Sequence, residues 1–335
     1  FSQMSIIFPY IILIMVNVII FFKFDYIAKK INIFDSPDHN RKLHKTEVPL
    51  IGGTIIMFNF FLISLFYFTE LDSLIFSEIL FFNQRSFYVF IVGSISFFLL
   101  GIYDDKYHLN SYTRLILSSL FLFIILSIDQ TIVISTIQFS FTDKIIYLEN
   151  FSTIFTIICF ILFINSVNMY DGINLQSSIY FFVLILFLIF NTFSYYFLSL
   201  LIIPICFFSY LNNKNRVFLG DGGTYILGFI LSYIIVKSYN LENNLTADEI
   251  FIIMMVPGIE LLRLAITRIK IGKSPFSADR NHIHHYLIEK MSIKKTNLLL
   301  FLLVFVPIML IDQINHTYII LLYILIYIII LLRYK

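Results

Sequence analysis

The chain has 335 residues, 59% of them hydrophobic and 13% charged, with 40 Phe, a mean hydropathy of +0.90 and a formal net charge of +2. A soluble domain carries about 25% charged residues, so this composition excludes an ordinary soluble enzyme and points to a chain immersed in a bilayer. The small net charge singles out no nucleic-acid partner, and the information lies in where the charges fall.

Eleven apolar runs are expected to be membrane-spanning helices, near 4–22, 51–69, 86–103, 113–129, 151–167, 177–192, 194–211, 223–239, 249–267, 297–311 and 316–332. The first lacks the basic flank and small-residue cleavage pattern of a leader, so it reads as a span. Residues 176–211 are split at Asn191, Thr192 and Ser194, because one helix over that stretch would run about 54 Å at 1.5 Å per residue. Between the fourth and fifth runs, "QTIVISTIQFSFTDKIIYLEN" alternates apolar and polar residues. This predicts a short β-hairpin near 131–149 lying on the membrane surface. Cys159 and Cys206 lie inside apolar runs without metal or disulfide spacing. The predicted fold class is an all-α polytopic membrane protein with about 11 transmembrane helices, forming a single domain over 1–335.

Charge placement orients this layout. Loops on one side, with adjoining helix ends, hold 20 of the 23 Lys and Arg; the other side holds Arg85, Lys144 and Lys237. By the positive-inside rule the N-terminus lies outside, the C-terminus is cytoplasmic, and the hairpin is periplasmic. Five polar clusters then share the cytoplasmic face, in loops near 23–50, 104–112, 168–176, 212–222 and 268–296. They read "DSPDHNRKLHKTEVPLIGG", "GIYDDKYHLN", "NSVNMYDGINLQ", "NNKNRVFLGDGGT" and "SPFSADRNHIHH".

Each cluster has a chemical and a plain interpretation. Asp104 and Asp105 close a span, as a solvated helix end or as a site for a divalent cation or proton transfer. Asp221 sits among glycines before a helix, as a simple cap or beside a bound anion; Asp171–Gly172 repeats the pattern on the same face. Arg280, His282, His284 and His285 suit phosphate recognition better than zinc. On a helix His282 and His285 share a face, and His284 points elsewhere. Arg41, Lys42, His44 and Lys45 form a basic group that attracts either lipid headgroups or a phosphorylated substrate. Acids able to hold Mg²⁺ and bases able to grip phosphate, gathered at headgroup level, indicate metal-dependent phosphoryl chemistry at the membrane.

In chain order these segments resemble the polyprenyl-phosphate N-acetylhexosamine-1-phosphate transferases, from about Asp35 to His285. The first cluster is similar to that family's D-x-P-x-x-R-K-x-H…P-x-x-GG loop with one extra residue. "YDD" matches its acidic pair, "FLGDGGT" its F-x-GD-x-G-[ST] loop, and "PFSADRNHIHH" its histidine loop. The resemblance implies transfer of an N-acetylhexosamine-1-phosphate from a UDP-N-acetylhexosamine to undecaprenyl phosphate at a bacterial inner membrane, with Mg²⁺ or Mn²⁺ as cofactor. It implies metal ligation by Asp221, Asn168 and Asp171, and a base at Asp104 supported by Asp105. Substrate binding falls to Arg41, Lys42, His44, Asn174, Asn212, Arg280, His282, His284 and His285. A homodimer is one expected assembly.

The chain departs from the family's N-x-x-DG-x-DGL pattern by having Asn174 and Leu175 where an acid and a glycine stand. A side chain with a Cβ resists positive φ, so this loop is expected to take another path. Two competing functions follow: a catalytically altered relative serving as a binding or scaffold subunit, and a transporter with an Asp/His proton relay. The second requires polar groups at mid-depth, whereas here they gather at one boundary.

Overall fold

Long apolar runs in a bilayer can satisfy their backbone groups only within helices or closed barrels, and these runs have no strand-like alternation. The computed structural model accordingly consists mainly of helices. It describes residues 3–37, 46–69, 71, 75–76, 81, 83–275, 277 and 279–334; Arg41, Lys42, His44 and Lys45 lie outside them. In chain order the helices are α1 (Gln3–Phe22), α2 (Phe24–Ile31), α3 (Gly52–Leu65), α4 (Gln84–Tyr107), α5 (Ser111–Ile128), α6 (Ser152–Tyr170) and α7 (Gln176–Asn191). Then come α8 (Tyr195–Asn213), α9 (Gly220–Lys237), α10 (Ala247–Lys270), α11 (Ile283–Lys290), α12 (Ile293–Met309) and α13 (His316–Tyr334).

All eleven apolar runs fall on helices, but fewer of these have membrane length. Among the described residues seven helices are long and apolar enough to cross a bilayer, and α1 with α2, bent by 74°, makes an eighth candidate. Local chemistry shortens others. Asn191 and Thr192 turn their side chains back onto the carbonyls of Phe187 and Leu188, which ends α7 after 16 residues. Helix α3 tightens into a 3-10 turn at Phe66–Phe68.

The hairpin is present: β3 (Thr136–Gln138) pairs antiparallel with β4 (Ile145–Tyr147), Ile137 opposite Ile146. A second two-stranded ribbon, not anticipated, joins β1 (Phe34–Asp35) to β2 (Val48–Pro49).

Helix α9 lies at the centre, buried on almost every side and packed most extensively on α4. Lipid tails are as apolar as Leu, so packing rather than the hydrophobic effect selects such contacts. Large rings supply it: Phe97 and Phe229 stack with centroids 5.0 Å apart, and Phe90 meets Tyr233 at 4.7 Å. The two helices run antiparallel, which separates two polar ends. At one end Ser86, Tyr233, Lys237 and Asp129 form a buried network, with Lys237 Nζ 3.3 Å from Asp129. The hairpin lies at that end, where Ser140 contacts Asp248 and His316. At the other end the loop before α9 is stitched to the start of α3. Gly52 and Gly53 donate to the carbonyls of Phe218 and Leu219, and Phe218 donates to Pro49.

Candidate active site

The acidic pair divides into two different jobs. Asp104 is 3% exposed, and both its oxygens accept hydrogen bonds: Oδ1 from the Leu109 N–H at 2.8 Å, Oδ2 from Arg114 Nη1 at 2.7 Å. The chain reaches Leu109 through His108, which ends α4 in the left-handed conformation (φ +50°). Asp105 points to α9 instead. Its Oδ1 accepts the Asp221 N–H at 2.8 Å and its Oδ2 the Gly222 N–H at 3.1 Å, so it caps the positive end of that helix. Gly220 makes this approach possible: its φ is +73°, and a Cβ there would stand 2.6 Å from Asp105 Oδ2.

Asp221 is thereby set between two groups. Asn168, from the end of α6, donates to its Oδ1 at 2.6 Å and to Thr224 Oγ1 at 2.9 Å. Arg114 Nη1 lies 3.9 Å from Asp221 Oδ2, so one guanidinium bridges the Asp104 and Asp221 carboxylates.

The loop after α6 turns directly into α7. Leu175 adopts the left-handed conformation (φ +69°) there, the conformation its Cβ was expected to resist. Hydrogen bonds compensate a cost of about 1–2 kcal/mol for an L-residue there. The Leu175 N–H donates to Asn212 Oδ1 at 2.7 Å, and Asn212 Nδ2 donates to the Val217 carbonyl at 2.8 Å. Asn212 is buried with both amide ends engaged by main chain, which makes it a brace for this loop. Asn174 donates to Asn215 Oδ1 at 2.5 Å, and its carbonyl accepts from Asn297 at 2.9 Å. Asp171 Oδ1 accepts the Ser177 hydroxyl at 2.5 Å. Burial pushes the Asp171 carboxyl up to about 6, with the Ser177 bond pulling the other way.

The histidines form one cluster, although His284 was expected to point elsewhere than the face of His282 and His285. His282 precedes α11 with extended backbone (ψ 146°), so its ring swings alongside the next turn. Ring centroids lie 5.1 Å apart for His282 and His284, 5.6 Å for His282 and His285, and 4.3 Å for His284 and His285. The His284 ring sits on Gly172, where a Cβ would meet it at 2.1 Å, and this contact joins the histidines to the loop carrying Asp171. Burial drives His282 down to about 4, and drives His284 and His285 below the usual imidazole range. All three are therefore neutral near pH 7, each offering one N–H and one acceptor nitrogen. Arg280 is exposed beside them. Asp279 binds Arg268 Nε at 2.8 Å. Burial alone would raise that carboxyl, but the Arg268 hydrogen bond, the Asn281 N–H and the Arg268 charge together outweigh it and lower it to about 2.

Similarity to known proteins now has a site to refer to. The profile of glycosyl transferase family 4 matches residues 87–239, which include Asp104, Asp105, Asn168, Asp171 and Asp221. The match covers the central part of the chain, and the chain is similar to that family there. It is 29% identical over 274 residues to an undecaprenyl-phosphate alpha-N-acetylglucosaminyl 1-phosphate transferase of Thermotoga maritima, covering 82% of this chain and 79% of that protein. A protein of the same name from Escherichia coli O157:H7 is 24% identical over 275 residues, 78% of this chain and 71% of its own.

The residues also permit a test of the implied cation. Among the described residues no three His, Cys, Asp or Glu side chains are grouped to hold a metal. Asp104 and Asp105 already accept two hydrogen bonds each, whereas the Asp221 carboxylate meets the Asn168 amide on Oδ1 and, on Oδ2, only the more distant Arg114 Nη1 at 3.9 Å among the ion pairs of the described residues. Asn168 gives its NH₂ to Asp221 and Thr224, so its amide oxygen is the end of that side chain left to meet a cation. One carboxylate and one amide oxygen are a hard donor pair, suited to Mg²⁺, which keeps several waters and takes remaining ligands from substrate phosphates. The donors fit. Sequence reasoning missed Arg114, Glu260, Arg263 and Arg268, although a charged residue one turn inside an apolar helix is itself a signal of an internal partner.

Proposed function

We propose that this protein catalyses Mg²⁺-dependent transfer of an N-acetylhexosamine-1-phosphate from a UDP-N-acetylhexosamine to undecaprenyl phosphate. The reaction releases UMP at the cytoplasmic face of a bacterial inner membrane and initiates a lipid-linked cell-envelope glycan. The observation that carries this reading is the bridge Asp104–Arg114–Asp221, a cation between two carboxylates at one end of a membrane bundle. An oxygen of the lipid phosphate forms a bond to the sugar-bearing phosphorus, the bond from that phosphorus to the bridging oxygen breaks, and UMP leaves with that oxygen.

Asp221 and Asn168, with Asp171 nearby in the chain, would hold the cation. When bound, Mg²⁺ neutralises diphosphate charge and so stabilises the leaving UMP. Asp104 orients or deprotonates the acceptor phosphate, while Arg114 can exchange part of its carboxylate contact for phosphate oxygens. Asp105 acts through α9, holding Asp221 by its main chain. The neutral His282, His284 and His285 donate N–H bonds to diphosphate and sugar without adding charge, and Arg280 supplies the charge. Arg41, Lys42 and His44 are proposed to meet the substrate from the first loop.

A donor panel tests this. Full-length protein in lipid nanodiscs with undecaprenyl phosphate and Mg²⁺ should yield a lipid diphosphate sugar, seen by mass spectrometry, from UDP-GlcNAc or a related UDP-HexNAc. Asp104→Asn and Asp221→Asn should abolish it. Absence of product from every UDP-HexNAc would reject the reading.

A further inference from the structure

Behind the histidine cluster lies a buried acid that no motif pointed to. Glu260, in α10 and 1% exposed, has no solvent-facing role. Its Oε1 accepts the Ile283 N–H at 2.9 Å and Arg263 Nη2 at 2.8 Å. Its Oε2 accepts Arg263 Nε at 3.1 Å and the Tyr327 hydroxyl of α13. Arg263 Nη2 reaches on to the carbonyl of Asn281. One carboxylate and its arginine therefore grip the main chain on both sides of His282, whose Nδ1 lies 3.8 Å from Glu260 Oε1. That Nδ1 is buried without a hydrogen-bond partner among the described residues.

A buried ion pair is weak evidence for stability, because desolvation offsets most of its attraction. What distinguishes this one is where its remaining hydrogen bonds go: to two peptide groups of a loop that leaves α10 at Lys270 and returns at Ile283. We infer that Glu260, with Arg263 and Tyr327, is a positioning residue that fixes the Asn281–Ile283 main chain and thereby aims His282 and its neighbours at the substrate. The inference rests on the proposed transferase function for its activity readout and on the loop's own protection for an independent one. It requires reach, not merely charge. Aspartate keeps the charge for Arg263 but falls about 1.5 Å short of the Ile283 N–H, one carbon–carbon bond. Glutamine keeps the reach and one acceptor oxygen.

The test compares Glu260→Asp, Glu260→Gln and the parent chain in nanodiscs. It uses steady-state UMP release with UDP-GlcNAc, thermal stability, and hydrogen–deuterium exchange of peptides covering 279–288. With Glu260→Asp, exchange at 281–285 should rise and kcat should fall about 10- to 100-fold, the size expected when a contact group is displaced by about 1 Å. KM for the UDP-sugar should stay within about threefold and the melting temperature should hold. Glu260→Gln should retain loop protection and most of kcat. The reverse order, aspartate active and glutamine impaired, would mean that the pair serves only charge balance and would overturn the inference. Unchanged exchange in Glu260→Asp would overturn it as well, and this arm stands even if Glu260→Gln fails to fold. If the parent chain releases no UMP, the function is wrong, and exchange alone decides whether Glu260 holds the loop.

Discussion

Removing the carboxylate charge at Asp105 separates a cap from a catalytic acid. Asp105 accepts two backbone N–H groups, from Asp221 and Gly222, at the positive end of α9. Asparagine can accept one and turns its NH₂ toward the other, so one charge-assisted bond is lost outright and the second is weakened. A hydrogen bond to a charged group is worth about 1.5–3 kcal/mol and an orphaned N–H costs about 1–3 kcal/mol, so Asp105→Asn should loosen the first turn of α9 by about 2–4 kcal/mol. Asp221 moves with that turn, and a shift near 1 Å corresponds to about 100-fold in rate. The assay is UMP release as a function of Mg²⁺ concentration. Because the damage is to ligand placement, half-saturation should move to higher Mg²⁺, and excess cation should recover part of the lost rate. A loss of rate that no Mg²⁺ concentration relieves would refute the capping role and return Asp105 to direct chemistry.

Three further outcomes are expected. Gly172→Ala drives a methyl into the His284 ring, which Cβ geometry places 2.1 Å away, and should lower kcat about 10- to 100-fold in the same UMP assay. Asn174→Asp with Leu175→Gly, which restores the family pattern, should change activity by less than about threefold, because Leu175 already holds the left-handed turn; a large gain would favour the altered-relative hypothesis. Asp279, lowered to about 2, is stabilised by Arg268 wherever it is ionised in the folded chain. Its contribution is fully present above the ordinary aspartate range and fades as pH falls through about 2. Melting temperatures of the parent and Asp279→Asn should therefore differ both at neutral pH and at pH about 4.5.

The helical class and the gathering of the four polar segments that carry Asp104, Asp171, Asp221 and His284 were legible because they depend on periodicity and order along the chain. Apolar runs must become helices in a bilayer, and each reversal returns the next polar segment to the same face. Helix length was less legible: side chains such as Asn191 and Thr192 end α7 through bonds to its own carbonyls, which no hydropathy average registers. Asp104, Asp105 and Asp221 were found as motifs, but their division of labour was not, since it depends on Arg114 arriving from α5 and on which oxygen meets which N–H. The conformation at Leu175 was misjudged for a similar reason. Local steric preference disfavours it, and the compensating donors and acceptors come from Asn212, far along the chain. Glu260 had no motif at all; its significance appears only when Ile283 and Asn281 are seen beside it.

The most direct measurement is the stoichiometry of one turnover. Purified protein in nanodiscs, given UDP-GlcNAc, undecaprenyl phosphate and Mg²⁺, is assayed for UMP and for the lipid product together, with Asp221→Asn as control. One UMP per lipid diphosphate sugar from the parent chain, and neither from the control, is the expected result. UDP in place of UMP, or turnover undiminished by Asp221→Asn, would contradict phosphoryl transfer centred on Asp221.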